Sequence, residues 1–193
     1  RAMHRCIREK GYADTSLTDV AVACGMSPSH IRYYFDGKTA ILEYYLAEHC
    51  RQVIEDIRKI EADDPFEWLE LFASYFVGNT KIRRVNLGVM LETFGLSVHH
   101  PGLRDIKVRY DADVRAVLTH FFERAGCAPD LTPALAAGIA QALEPGLKHT
   151  MVFDDELTPE RAKEAFLAGI RKLAGVGKAA RRAPKAAAAK AQP

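Results

Sequence analysis

Apolar residues recur at intervals of three and four through most of the chain, the spacing of helices that bury one face. Met3, Cys6, Ile7 and Lys10 share one side of a first helix that Gly11 stops. Thr18 to Cys24 reads as a short second helix with Val20, Ala21 and Ala23 or Cys24 inward, and Tyr12 and Leu17 close a small core with them. A third runs from Pro28 to Phe35 with Ile31 and Phe35 as its inner face. Lys38 opens a long helix to about Ala62, carrying Ile41, Tyr45, His49 or Cys50, Val53, Ile57 and Ile60. Phe66 to Val77 is apolar nearly all round and is expected to be buried centrally. Val85 to Val98 follows a basic start at Lys81, Arg83 and Arg84. A row from Leu103 through Val114 and Val117 runs to about Ala125, and Thr132-Pro133 starts a helix in which Pro145 predicts a kink. Thr158-Pro159-Glu160 opens the last one. The expected fold class is all-α, with about nine helices.

Local signals sharpen one stretch, Ser16 to Lys38. Ser16 with Asp19 has the form of a capping box, and Ser27-Pro28 is an N-cap followed by proline at the first helical position. Ala-Cys-Gly at 23–25 ends one helix before the next begins. This is the spacing of a helix-turn-helix, whose second helix enters the DNA major groove. The side chains left outside would be Ser29, His30, Arg32, Tyr33 and Tyr34. His and Ser hydrogen-bond base edges, Arg forks onto guanine or grips phosphate, and hydroxyls with a helix N-terminus suit phosphate oxygens. The competing reading makes Tyr33 and Tyr34 half-buried aromatics and His30 a solvated surface residue.

The run G-Y-x-x-T-S-x-x-D-V-A-x-x-x-G-M-S-x-x-x-I-x-Y-Y-F-x-x-K, from Gly11 to Lys38, resembles the N-terminal domain of the TetR family of transcriptional repressors. The resemblance implies an all-helical homodimer with a DNA-reading domain (1–46, its first helix truncated) and a ligand-binding, dimerising domain (47–175). It further implies that Pro28, Ser29, His30, Arg32 and Tyr34 face bases while Ser27, Tyr33 and Lys38 tend toward the backbone. The layout from Leu143 through Leu157-Thr158-Pro159-Glu160 is similar to the BetI-like subset of that family. Expected partners are a double-stranded operator, a small-molecule effector and a second copy of the chain, with no cofactor, metal or membrane. A DNA-binding architectural protein of the same fold, without an inducer, is the alternative.

Composition changes that picture in two places. The formal charge of +2 hides a basic Ala-rich tail (176–193) whose five basic residues, once set aside, leave 22 basic against 25 acidic side chains. Global charge therefore gives DNA binding no support, and the argument rests on where a few side chains point. Cys6, Cys24, Cys50 and Cys127 show no metal-ligand or disulfide spacing, which fits small packed thiols in a reducing cytoplasm. The chain has no apolar run of about 18 residues and no apolar signal-peptide core, and it lacks an initiating Met, so the first helix is expected to begin upstream.

The body offers less specific chemistry. Trp68, Phe72, Phe76, Met90, Phe94, Tyr110 and Phe121 are expected to line an effector cavity. Leu135, Ile139, Leu143, Leu147 and Met151 on one helix, with Phe166, Ile170 and Leu173 on the next, are the expected dimer seam, since two helices from each chain close a four-helix bundle. His99-His100 reads as a polar helix end rather than a metal site, because adjacent histidines point apart. Glu92 and Glu144 stand without an evident partner, and no phosphate loop, nucleophile elbow or H-E-x-x-H helix is present. No catalytic residue is expected.

Overall fold

The computed structural model describes residues 1–78 and 84–176, so Lys81, Arg83 and all but the first residue of the basic tail lie outside the described residues. Among the described residues there are nine helices and no strand, which bears out the all-α expectation. They are α1 (Ala2–Asp14), α2 (Leu17–Cys24), α3 (Pro28–Tyr34), α4 (Gly37–Arg58), α5 (Pro65–Phe76), α6 (Arg84–Leu96), α7 (Pro101–Ala125), α8 (Pro133–Phe153) and α9 (Pro159–Leu173).

Proline does much of the punctuation. Five helices (α3, α5, α7, α8, α9) begin on a proline, where the missing N–H has no intrahelical partner to lose. Ser27, Asp64, Thr132 and Thr158 cap four of them by accepting from the N–H of His30, Phe66, Leu135 and Arg161. α8 continues through Pro145 as one helix. Gly11 sits inside α1 at φ 78°, ψ 165°, a conformation that L side chains rarely adopt, and it breaks the helix there.

Two apolar cores share α4. The first gathers Met3, Ile7, Val20, Ala21, Ile31, Ile41, Leu42 and Leu46, and it also takes Val89, Leu103 and Ile106 from α6 and α7. The second holds Ile54 and Ile57 of α4 with Leu69, Phe72 and Phe76 of α5, Val114, Leu118, Phe121 and Phe122 of α7, and Met151, Phe166 and Ile170. Burying a side chain of this size contributes about 1.5–3 kcal/mol. α4, with 22 residues, is a rod of about 33 Å whose ends lie in different cores.

Several expectations are corrected by this packing. Phe166, Ile170 and Met151 are buried in the chain's own core, so these three are no free dimer face, whereas Leu143, Leu147 and Leu173 are half-buried against that core. The row that α8 leaves outside is Leu135 and Ile139, followed at helical spacing by Ala142, Gly146, His149 and Phe153. α5 buries one face and exposes Leu71, because only Leu69, Phe72, Ala73 and Phe76 of the helix turn inward. Cys24 is exposed, since the α2 core is filled by Val20 and Ala21. His99 is exposed, and His100 precedes Pro101 at the start of α7 without a side-chain cap.

Candidate nucleic-acid interface

The α2–α3 pair is built as its local signals require. Ser16 Oγ accepts from Asp19 N–H (3.1 Å), and Ser16 N–H donates to Asp19 Oδ2 (2.7 Å), completing the capping box. The Lys10 ammonium, 2.7 Å from Asp19, and then the Ser16 donors hold that carboxyl well below the usual range. Gly25 closes α2 in the left-handed region (φ 68°, ψ 31°), with its N–H donating to Val22 O (3.0 Å) and Met26 N–H to Ala21 O (2.9 Å). The Arg5 guanidinium donates to Ala23 O and so ties α1 to the turn.

On α3 only Ile31 is buried, and it fixes the helix on the first core. Ser29, His30 and Arg32 are exposed; Tyr33 is 82% and Tyr34 62% exposed, so these tyrosines are not half-buried packing groups. Their rings brace one another, with His30 to Tyr34 at 5.5 Å and Tyr33 to Tyr34 edge-on at 5.0 Å. Pro28 is half-buried at the first helical position. Ser27 uses an oxygen lone pair for its cap, which leaves its O–H proton to donate outward. Tyr44, exposed on α4 with Phe35 against its ring at 5.7 Å, extends the polar aromatic surface beyond the predicted set. Its position on an amphipathic row was the only available signal.

Lys38 does something else. Its ammonium donates to Tyr12 O (2.9 Å), Ala13 O (3.0 Å) and Thr15 O (2.9 Å), and lies 4.4 Å over the Tyr12 ring. All three ammonium protons are therefore engaged, and a phosphate would have to displace three carbonyls. The expectation of a backbone contact is replaced by a clamp between the end of α1 and the start of α4. Lys38→Met is expected to cost about 1.5–3 kcal/mol of stability. It should leave the slope of log K against log[salt] unchanged, whereas loss of a phosphate contact would reduce it by about 0.9. A thermal melt paired with a salt titration of DNA binding separates these outcomes.

The head is joined to the body at α6. Tyr12 N–H, next to the Gly11 break, donates to Glu92 Oε1 (2.6 Å), so Glu92 has a partner that sequence reasoning missed. His4 bridges Tyr45 OH (2.8 Å) and Asn86 Oδ1 (3.1 Å). His49, stacked at 6.2 Å on Tyr45, is held below its ordinary 6.5 by burial first, then by the charges of Lys148 and His4. Since the folded-state value is the lower one, the unfolded chain binds more protons below pH 6.5, and folding stability falls as the solution is acidified through that window. His49→Gln is expected to flatten the drop in melting temperature between about pH 7 and about pH 5.5, read by circular dichroism.

The residues expected to line an effector cavity divide. Phe72, Phe76 and Phe121 are buried and stacked, with Trp68 sealing them: Trp68–Phe72 at 4.9 Å, Trp68–Phe121 at 5.8 Å and Phe72–Phe76 at 5.0 Å. The rings fill the space between Trp68, Phe72 and Phe121, so these three are core. Met90, Phe94 and Tyr110 are half-buried, and Phe94 stacks on Tyr110 at 6.2 Å. Tyr110 also lines a groove of about 240 Å³ between α4 and α7, beside Cys50, Ile54 and Ile106. Glu144, which seemed unpartnered in the sequence, pairs with Lys148 one turn along α8. Burial, the largest cause, and then the negative charge of Glu144 push the Tyr110 phenol well above its usual range. Among the described residues no three His, Cys, Asp or Glu side chains form a metal-binding group, and no helix is long and apolar enough to cross a membrane.

Two family models match this chain. Residues 1–45 match the model described as bacterial regulatory proteins, tetR family, and residues 65–175 match the C-terminal domain described as BetI-type transcriptional repressor. A curated relative, the HTH-type transcriptional regulator BetI of Stenotrophomonas maltophilia, is 26% identical over 64% of the chain; the match spans 65% of that regulator, just under two thirds of its length. A TetR transcription regulator from Haloarcula marismortui superposes with a TM-score of 0.80 at 21% identity, covering 89% of this chain and 94% of that one. A protein from Saccharomonospora viridis, described as a transcriptional regulator and solved in complex with choline, gives 0.74 at 19% identity over 88% and 92% of the two chains. At these identities the solved structures speak for the shared fold.

Proposed function

The chain belongs to the tetR family of bacterial regulatory proteins, with a C-terminal part of the BetI type, and from that premise we propose that it is a sequence-specific DNA-binding repressor, active as a homodimer and released from its operator by a small molecule. The observation that carries the DNA reading is the face of α3. Ile31 holds the helix down while Ser29, His30, Arg32, Tyr33 and Tyr34 project together into solvent. In this reading Ser29, His30 and Arg32 meet base edges in the major groove, and Tyr34 stands over His30. Ser27 O–H, Tyr33 and the uncapped start of α4 meet phosphate oxygens.

The second copy docks on the outer row of α8 from Leu135 to Phe153, together with the exposed Ala165 and Ala168 of α9. Leu135 at 52%, Ile139 at 43% and Phe153 at 74% exposure support this, since an apolar row along a whole helix is rarely left to water. The dimer sets the two copies of α3 about 34–36 Å apart, one turn of DNA. Effector binding in the body moves α4, whose Leu42 and Leu46 belong to the head core and whose Ile54 and Ile57 belong to the body core. Effector and operator affinities are then coupled reciprocally. Binding-site enrichment with the purified chain tests the reading: it should recover a near-palindrome with half-sites about one turn apart. Recovery of no preferred sequence would reject it in favour of an architectural role.

A further inference from the structure

The break in α1 is met by a side chain from the body. Gly11, at φ 78°, interrupts the helix, and the N–H that follows, that of Tyr12, donates to Glu92 Oε1 of α6 at 2.6 Å. A backbone N–H donating to a carboxylate is among the stronger hydrogen bonds in proteins. The same short stretch is gripped from α4. The Lys38 ammonium takes the carbonyls of Tyr12, Ala13 and Thr15, and Tyr12 OH meets Thr39 Oγ1 at 2.9 Å. Thr15, 1% exposed, donates its hydroxyl back to Gly11 O (2.6 Å) and closes the turn on itself. The next residue is Ser16, the cap of α2. Residues 11–15 are thus held by an anion on the N–H side and a cation on the carbonyl side, each from a helix that enters both cores. α6 places Leu87 in the body core and Val89 in the head core, as α4 does with Ile57 and Leu42.

We propose that Glu92 is a positioning residue for DNA reading: through Tyr12 N–H it fixes the angle at which the α2–α3 pair leaves the body, and so the separation of the two copies of α3. The inference rests on the dimeric, operator-reading role proposed above. Apolar packing of Met3 and Ile7 holds α1 on the head core without favouring one direction, whereas a short hydrogen bond to a single N–H fixes a register. Lys38 alone would leave the turn free to pivot about its carbonyls, and the contact from the opposite side removes that freedom. The break and its acceptor are matched in place, since a Cβ on Gly11 would stand 3.4 Å from Glu92 Oε1. Reach matters as much as charge. Gln keeps an acceptor at the same distance, Asp keeps the charge one methylene short, and Ala loses both.

Operator pools in which the gap between half-sites varies separate positioning from stability. The unaltered chain should select one gap. Glu92→Ala should accept neighbouring gaps and lose about tenfold in affinity at the preferred one, while a single half-site binds as before. Glu92→Gln should restore the narrow choice, and Glu92→Asp should behave like Glu92→Ala. Hydrogen exchange at Tyr12 N–H gives a readout that needs neither DNA nor a second copy: about tenfold faster in the Ala and Asp variants, near the unaltered rate in Glu92→Gln. The proposal is overturned if Glu92→Ala chooses the same gap with equal affinity, if Glu92→Gln is as impaired as Glu92→Ala, or if half-site and operator affinity fall together. An unaltered chain that selects no gap contradicts the dimeric reading and, with it, the claim about separation. Tyr12 exchange unchanged by Glu92→Ala contradicts the role of Glu92 whatever the oligomeric state.

Discussion

Ile139→Glu is expected to split the dimer while leaving each chain folded. Ile139 lies midway along the outer row of α8 and is 43% exposed in the single chain, so a carboxylate there meets water in the monomer. In the dimer it meets the partner's row near the two-fold axis, and each copy contributes one uncompensated charge. Burying an unpaired charge costs about 3–5 kcal/mol, and each 1.4 kcal/mol is tenfold, so dimerisation should weaken by more than about 100-fold. Operator affinity falls with it, since one α3 then binds without its twin. Sedimentation velocity beside a melting curve reads both effects. A variant that stays dimeric with unchanged affinity would show that the exposed row of α8 is not the seam. Substituting a member of the expected seam that the chain's own core buries gives a different result: Phe166→Ala removes a buried ring and should destabilise the chain itself by about 3–5 kcal/mol.

The second large effect is on sequence choice. His30→Ala is expected to relax the preference at one position of each half-site by about 1–3 kcal/mol, roughly 5- to 150-fold, because its exposed ring is placed to meet a base edge. Affinity for non-specific DNA should hardly change, and the salt dependence should be preserved, as for a group that touches no phosphate. Comparing enriched sequences for the two proteins measures it. Identical preferences would mean that His30 serves only to brace Tyr34.

What could be read from the sequence divides along a physical line. Local geometry was legible because it is written in adjacent residues. Ser27-Pro28, Asp64-Pro65, Thr132-Pro133 and Thr158-Pro159 each start a helix where the caps require it, and Ser16 with Asp19 forms the reciprocal pair that their spacing implies. The outward set on α3 followed from the same signals, since a seven-residue helix with Ile31 inside has few ways to present the rest.

Which of two apolar faces meets the chain's own core was not legible. Periodicity marks a face as buried without naming the surface that buries it, so Phe166 and Ile170, which the chain's own core buries, read as part of one seam with the exposed Leu135 and Ile139. Long charged side chains were hidden for a related reason. Lys38 reaches carbonyls 23 to 26 residues earlier in the chain, and Glu144 reaches an ammonium that any surface helix would show at the same spacing. In the fold that ordinary pair is largely buried, with the ammonium 4.3 Å from the centre of the Phe76 ring of α5.

The central claim is that two copies of α3, held at a fixed separation by α8 and α9, read successive major grooves. Methylation interference on the enriched operator tests it most directly, because a methyl at guanine N7 blocks only major-groove contacts. The account predicts two clusters of interfering guanines on one face of the duplex, about one helical turn apart, weakened at one position in each by His30→Ala. A single cluster, or interference confined to the minor groove, would contradict it.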